Sequence, residues 1–280
     1  MNYLNGFHNL NFTNNQLKEL LESIKSIYGF DYTEYSEASV RRRVEHFMGS
    51  NKVESLDDLS KLILQSEENL EYFIQQLSVT VTEMFRDPIF YKSLRDNVMT
   101  RLATYPFIKV WIAGCATGEE AYSVAILLKE AGLLNRSVIY ATDINQRSLQ
   151  IAKDGMYSLN NMKSHTANYQ KSGGLESFSE YYKAKYDSVM FDKSLKQNIV
   201  FSQHNLTTDK SFNEFQLIMC RNVLIYFNQQ LQNKVLNLFH ESLCTFGFLG
   251  LGNKESMLFS DKRECFDEID RKEKIYIKNR

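Results

Sequence analysis

Val110-Trp111-Ile112-Ala113-Gly114-Cys115-Ala116-Thr117-Gly118-Glu119-Glu120 decides how the rest of this chain is read. An apolar run, predicted as a strand over 109–113, stops at Gly114; a short turn follows, and Gly118 opens a helix predicted over 119–131. Glycines flanking such a turn let the backbone approach a ligand lying across the carboxyl edge of a sheet. The full GxGxxG of dinucleotide sites is absent, and two glutamates stand where a pyrophosphate would be repelled. S-adenosylmethionine, with a sulfonium cation and no phosphate, suits these carboxylates better. The alternative is a tight strand–helix turn that binds nothing.

The same alternation continues downstream. Residues 137–142, 199–202, 215–220 and 246–251 read as strands, 146–153 and 229–243 as helices, and 266–278 as a closing hairpin. This predicts an α/β fold, a mostly parallel sheet with helices on both faces. Residues 155–197, polar and tyrosine-rich with Gly173-Gly174, interrupt it. Asp143 follows the second strand 25 residues after Gly118, near the ~20-residue offset at which an acid meets ribose hydroxyls. Its competing reading is a helix N-cap. Beyond residue 220, Asn222 and Tyr226 sit within an apolar run. A half-buried core aromatic is the commoner fate of such a tyrosine.

Ahead of the sheet, residues 1–77 read as a helical domain. Leu17, Leu20, Leu21, Ile24 and Ile27 mark one apolar face stopped by Gly29, and Val40, Val44 and Phe47 mark a second stopped by Gly49. Ser55 with Asp58 resembles a capping box before a third helix, and Leu70, Phe73, Ile74 and Leu77 define a fourth. β-branched residues 78–82 open a linker over 78–88, where Asp87-Pro88 reads as an N-cap and first helical turn. The main domain is then 89–280.

With 280 residues, 43% hydrophobic, 24% charged and net charge −1, the chain has an ordinary globular composition and no bulk pull toward nucleic acid or anionic lipid. Its 4 cysteines are scattered and its 5 histidines unpaired, so no metal site is expected, and with no signal peptide read the cysteines are expected to be reduced thiols in a cytoplasmic protein; a monomer is expected. No apolar run reaches membrane-spanning length and no signal peptide is read.

Several segments in order resemble the chemotaxis-receptor methyltransferases, the CheR family: Thr82-Glu83-Met84-Phe85-Arg86-Asp87-Pro88, GCATGEEAYS from Gly114, ATDIN from Ala141, Asn205-Leu206, CRNVLIYF from Cys220, and Leu251-Gly252-Asn253-Lys254-Glu255-Ser256. The resemblance implies a Rossmann-like methyltransferase sheet, an N-terminal helical domain that meets receptor helices, and a small antiparallel β-subdomain at 155–197. It implies methyl transfer from S-adenosylmethionine to receptor glutamates. By position it places Thr80, Thr82, Arg86, Gly114, Glu120, Asp143, Asn205, Leu206, Asn222 and Val223 around the cofactor. Arg86 and Tyr226 fall at the methyl-transfer centre. Thr80 stands where the family usually has asparagine, and Met84 where it has phenylalanine. Those departures motivate an alternative, a non-catalytic module that retains the cofactor and docks signalling helices. A nucleic-acid aminomethylase would carry Pro-Pro-Tyr, which the isolated Pro88 and Pro106 exclude.

A glutamate acceptor is already ionised at neutral pH, its reference pKa being ~4.3, so the reaction needs alignment rather than a base. Arg86 suits bidentate orientation of that carboxylate. Residues 1–80 carry seven basic and twelve acidic side chains, so Arg41-Arg42-Arg43 is a local basic patch on an acidic domain. It is read as a docking face for an acidic receptor helix, against a solvated helix flank. Cys115 and Cys220 read as small packing residues.

Overall fold

The computed structural model describes residues 12–28, 31–77 and 82–279. The chain forms two compact units, residues 1–79 with 226–231, and residues 80–225 with 232–280.

In the first unit, α1 (Asn14–Tyr28), α2 (Glu37–Asn51), α3 (Leu56–Leu64) and α4 (Glu67–Leu77) follow the predicted apolar spacings. Leu17, Leu20, Leu21 and Ile24 are buried on α1, and Val40, Val44, Phe47 and Met48 on α2. Phe47 meets Phe73 of α4 edge-on, their ring centroids 4.9 Å apart. Each such buried side chain contributes about 1.5–3 kcal/mol relative to exposure. The Ser55 hydroxyl accepts the Asp58 N–H at 3.1 Å, capping α3. Gly49 does not stop α2, which runs on to Asn51; Lys52 ends it with φ 56°.

Residues 226–231 join this unit rather than the main domain expected over 89–280. Tyr35 bridges Phe227, the Ser36 N–H donates to the Tyr226 carbonyl at 2.8 Å, and the Asn228 N–H to the Glu34 carbonyl at 2.9 Å. Backbone pairing outweighs sequence position here.

The second unit opens with α5 (Pro88–Leu94), continued by a π-helical stretch Arg95–Met99 and α6 (Thr100–Leu102). Then come β1 (Ile108–Ala113), α7 (Glu119–Glu130), β2 (Ser137–Asp143), α8 (Gln146–Asp154), β3 (Met156–Ser158), α9 (Met162–Lys171), β4 (Tyr182–Lys185) and β5 (Ser188–Phe191). The chain finishes with α10 (Lys193–Lys196), β6 (Ile199–Gln203), β7 (Phe215–Cys220), α11 (Gln229–Ser242), β8 (Leu243–Leu251), β9 (Phe266–Asp270) and β10 (Ile275–Lys278). The main sheet has the order β6-β2-β1-β7-β8-β10-β9. Neighbours from β6 to β8 pair in parallel, and β10 pairs antiparallel with both β8 and β9. Five of six β1 residues are buried, as in a sheet covered on both faces.

The inserted segment is the antiparallel sheet β3-β5-β4 with α9 beside it. The sequence reading contained no helix there, because the buried positions of α9 are Met162, His165 and Tyr169 rather than aliphatic residues. Of the expected linker, residues 78–81, Thr80 among them, lie outside the described residues. Residues 82–87 belong to the second unit: Met84 and Phe85 are fully buried, and the Phe85 N–H donates to Ser123 Oγ at 2.9 Å. Among the described residues no helix is long and apolar enough to cross a membrane.

Candidate cofactor and methyl-transfer site

Parallel pairing puts the carboxyl ends of β6, β2, β1, β7 and β8 along one edge of the sheet. At the end of β1 the N–H groups of Gly114 and Cys115 both donate to the Thr142 carbonyl, at 2.8 and 2.9 Å, fastening the glycine turn to β2. Gly114 has φ +77°, and a β-carbon there would lie 2.5 Å from Val223 Cγ2. The glycine therefore serves the close approach of the loop after β7. Gly118, at φ +92°, starts α7.

Asp143 closes β2 and accepts the N–H of Ala116 at 2.8 Å and of Asn145 at 2.9 Å, one on each oxygen. The N-cap of α8 is Asn145, whose side chain accepts the Ser148 N–H at 3.1 Å. Asp143 instead braces the glycine turn. Burial pushes its carboxyl above the ordinary range, and the backbone N–H groups oppose that. The Asp143 carbonyl accepts the His204 N–H at 3.2 Å, bringing in the turn after β6. In that turn Asn205 Oδ1 accepts from the N–H and hydroxyl of Thr207, at 2.9 and 2.7 Å, and Leu206 is buried.

Glu120 is buried, and its Oε1 accepts from Arg221 Nη1 at 2.9 Å and from the Tyr91 hydroxyl at 3.3 Å. Arg221 also pairs with Asp87 at 2.8 Å, lies 4.1 Å from the Phe90 ring centroid, and donates to the Arg86 carbonyl at 3.2 Å. Asp87 makes no side-chain cap on α5, since its carboxylate is spent on Arg221. Arg86 thus sits between Phe85 at φ 51° and Asp87 at φ 56°, in a left-handed region that aspartate tolerates and a bulky residue such as phenylalanine seldom adopts. Arg221 fastens the backbone that carries Arg86. It is a positioning group absent from the residues singled out in the sequence.

Glu255 plays the matching part for the loop after β7. Its carboxylate accepts the N–H groups of Gly252, Asn222, Val223 and Leu224 at 2.6–3.1 Å. This concave set of donors holds an anion and lets Asn222 take φ 60°. Burial pushes Glu255 upward, against those four bonds. Glu119 is buried too; desolvation raises its carboxyl to about 7, although the Thr117 hydroxyl donates to it at 2.7 Å. The thiols of Cys115 and Cys220 are buried and raised by burial, so neither is a ready nucleophile.

Gly114, Glu120, Asp143, Asn205, Leu206, Asn222, Val223, the half-buried Thr82 and Arg86 all fall in the second unit. Tyr226 and the arginine triplet fall in the first, where the three arginines of the expected basic patch have separate surroundings. Arg41 donates to the Phe12 carbonyl at 3.0 Å and Asn14 Oδ1 at 2.6 Å. Arg43 donates to the Leu77 carbonyl and stacks on Tyr226, its guanidinium carbon 4.4 Å from the ring centroid. Arg42 is exposed.

Two family models match the chain: a CheR methyltransferase all-alpha domain over residues 15–78, and a CheR methyltransferase SAM binding domain over residues 80–275. A candidate methyltransferase of Pseudomonas putida, Cher3, is 46% identical over 95% of this chain and 98% of its own. The chemotaxis protein methyltransferase of Listeria innocua is 30% identical over 84% of this chain and 87% of its own. That of Borreliella burgdorferi is 26% identical over 89% and 90%.

Proposed function

The chain belongs to the CheR methyltransferase family, a family with an S-adenosylmethionine-binding domain, and from that premise we propose that it esterifies glutamate side chains of chemotaxis receptors. One observation carries the choice of acceptor above others: relatives bearing the name chemotaxis protein methyltransferase align with this chain across both units.

The residues at the sheet edge fit the cofactor. An ionised carboxylate has about four acceptor sites, and Asp143 spends one per oxygen on a backbone N–H. The remainder suits ribose hydroxyls. Buried carboxylates at Glu119 and Glu120 suit a cation, and Asn222, Val223 and Leu206 supply a close wall. When bound, S-adenosylmethionine supplies a methyl group made electrophilic by its sulfonium. The protein's own work is orientation. Arg86, on a backbone fastened by Arg221, grips the acceptor carboxylate through its planar fork and directs one oxygen. The acceptor is its own anion at neutral pH, so no side chain has to remove a proton. Met84, fully buried with Sδ 3.5 Å from Ser123 Oγ, fills its place in the core. Its departure from the family pattern is a packing change, which leaves the docking-only alternative without a structural motive at that position.

The test is transfer of labelled methyl from S-adenosylmethionine to receptor-bearing membranes, with release of labelled methanol in base. Label on the receptor that resists base, or label confined to another acceptor, would overturn the reading.

A further inference from the structure

The turn between β1 and α7 is bent in a way its residues do not favour. The Gly118 N–H donates to the Cys115 carbonyl at 2.9 Å and closes it, and Ala116 within it has φ 46°, a left-handed region in which alanine is uncommon. Such a residue persists only where its surroundings over-determine it. One brace is Asp143, which accepts the Ala116 N–H. The second comes from the inserted sheet: the hydroxyl of Tyr157, on β3, donates to the Thr117 carbonyl at 2.7 Å across 40 residues. Thus β2 and β3 grip successive residues of one turn.

Tyr157 is itself firmly placed. It is buried, pairs in register with Val189 of β5, and meets the rings of Phe191 on β5 and Tyr122 on α7 edge-on, with centroids 5.7 and 6.0 Å away. Burial, with Glu119 the next cause, pushes the Tyr157 hydroxyl well above its ordinary value, so it remains a donor. In the main sheet β1 has β2 on one side and β7 on the other, the reversal of strand order outside which open sheets of this kind bind their ligands. The braced turn follows β1 at that point.

We propose that Tyr157 is a positioning residue for the cofactor: through its hydroxyl the inserted sheet presets the turn that receives S-adenosylmethionine. This rests on the cofactor half of the reading above and not on the choice of acceptor. A turn already held in its binding conformation loses less freedom when the ligand arrives. Without the hydroxyl the Thr117 carbonyl loses that donor, Ala116 can relax, and binding has to re-form the turn.

The experiment uses the full chain as wild type, Tyr157→Phe and Val189→Ala, with S-adenosylhomocysteine as the probe. Phenylalanine keeps the ring and removes only the donor. Tyr157→Phe should bind roughly 3- to 10-fold more weakly by calorimetry, the size expected of one neutral hydrogen bond. Hydrogen exchange at the Gly118 amide should be faster in the cofactor-free variant. Val189→Ala trims the buried residue opposite Tyr157 and keeps the hydroxyl, so it should lower the melting temperature yet bind within about twofold of wild type. Affinity of Tyr157→Phe equal to the wild type's overturns the proposal, and so does an equal loss in Val189→Ala, which would make general loosening of the small sheet the cause. Unchanged exchange at Gly118 in Tyr157→Phe also overturns it, since the turn would then be set without β3. Neither readout uses a methyl acceptor, so both decide the proposal whether or not receptor glutamates are esterified.

Discussion

Arg221→Met takes one guanidinium out of the second unit and strands the two carboxylates it joins. The Arg221 side chain is 2% exposed, Glu120 11% and Asp87 32%. At 2.9 Å and an effective dielectric of about 20, the gross attraction of Arg221 for Glu120 is roughly 6 kcal/mol, which desolvation of both ions offsets in part. Asp87 is screened by solvent and counts for less. Removing one partner of such a buried pair costs about 3–5 kcal/mol, because the other charge is left uncompensated. Methionine fills comparable volume, so the loss is electrostatic rather than a cavity. For a chain of this size 1 kcal/mol moves the melting temperature by about 2–4 °C, so a drop on the order of 10 °C is expected by calorimetry. Arg221→Met/Glu120→Gln should recover most of the loss. A single variant that melts within about 1 kcal/mol of wild type, or a double variant with no recovery, would refute the argument that this trio is the charge clasp behind Arg86.

Asp143→Asn keeps an acceptor for one backbone N–H but loses the charge and its spare lone pairs, so S-adenosylhomocysteine should bind about 1–3 kcal/mol more weakly by calorimetry. Unchanged affinity in a folded variant would remove Asp143 from the cofactor site. Arg86→Lys should leave cofactor affinity intact and fail to restore turnover, because one ammonium cannot match the two-pronged fork; near-normal kcat would mean that charge alone matters there. Glu119, raised from 4.5 to about 7 by burial, contributes stability below about pH 4.5 that is lost as pH rises through about 7. Glu119→Gln should flatten that loss and be the more stable protein above pH 7, by up to roughly 3 kcal/mol in denaturant titrations. A variant whose stability falls with pH as steeply as the wild type's would assign the slope to other groups.

The fold was legible wherever local pattern and tertiary context agree. Residues 215–220 read as a strand and are one, because every side chain from Leu217 to Cys220 is apolar and buried. The glycine turn was legible for a similar reason, since few alternatives let a strand end so close to another loop. At the boundary of α11 and β8 the expectation was off by three residues, because Leu243 satisfies both the helical and the extended pattern. The site was less legible, since its fastening is non-local. Arg221 meets Glu120 across 101 residues and Asp87 across 134, and Glu255 meets the loop after β7 across 31–33. No spacing rule reaches that far. A Glu120 read alone looks like a cofactor acid; the structure shows it as the counter-ion of the arginine that fastens the Arg86 backbone.

The arginine triplet shows a different limit, and it is geometric. Adjacent residues on an α-helix point about 100° apart, so three in a row span roughly 200° and share no face. Whatever lies under α2 must therefore receive at least one of them. Arg41 turns to Phe12, Asn14 and Glu45, Arg43 to Leu77 and Tyr226, and Arg42 to solvent. A charge run reads as a patch only when its members recur at three or four residues, the period that stacks side chains on one side. The same arithmetic gives the three arginines three separate surroundings within one helix, with Arg43 stacked on Tyr226 and Arg42 left in solvent.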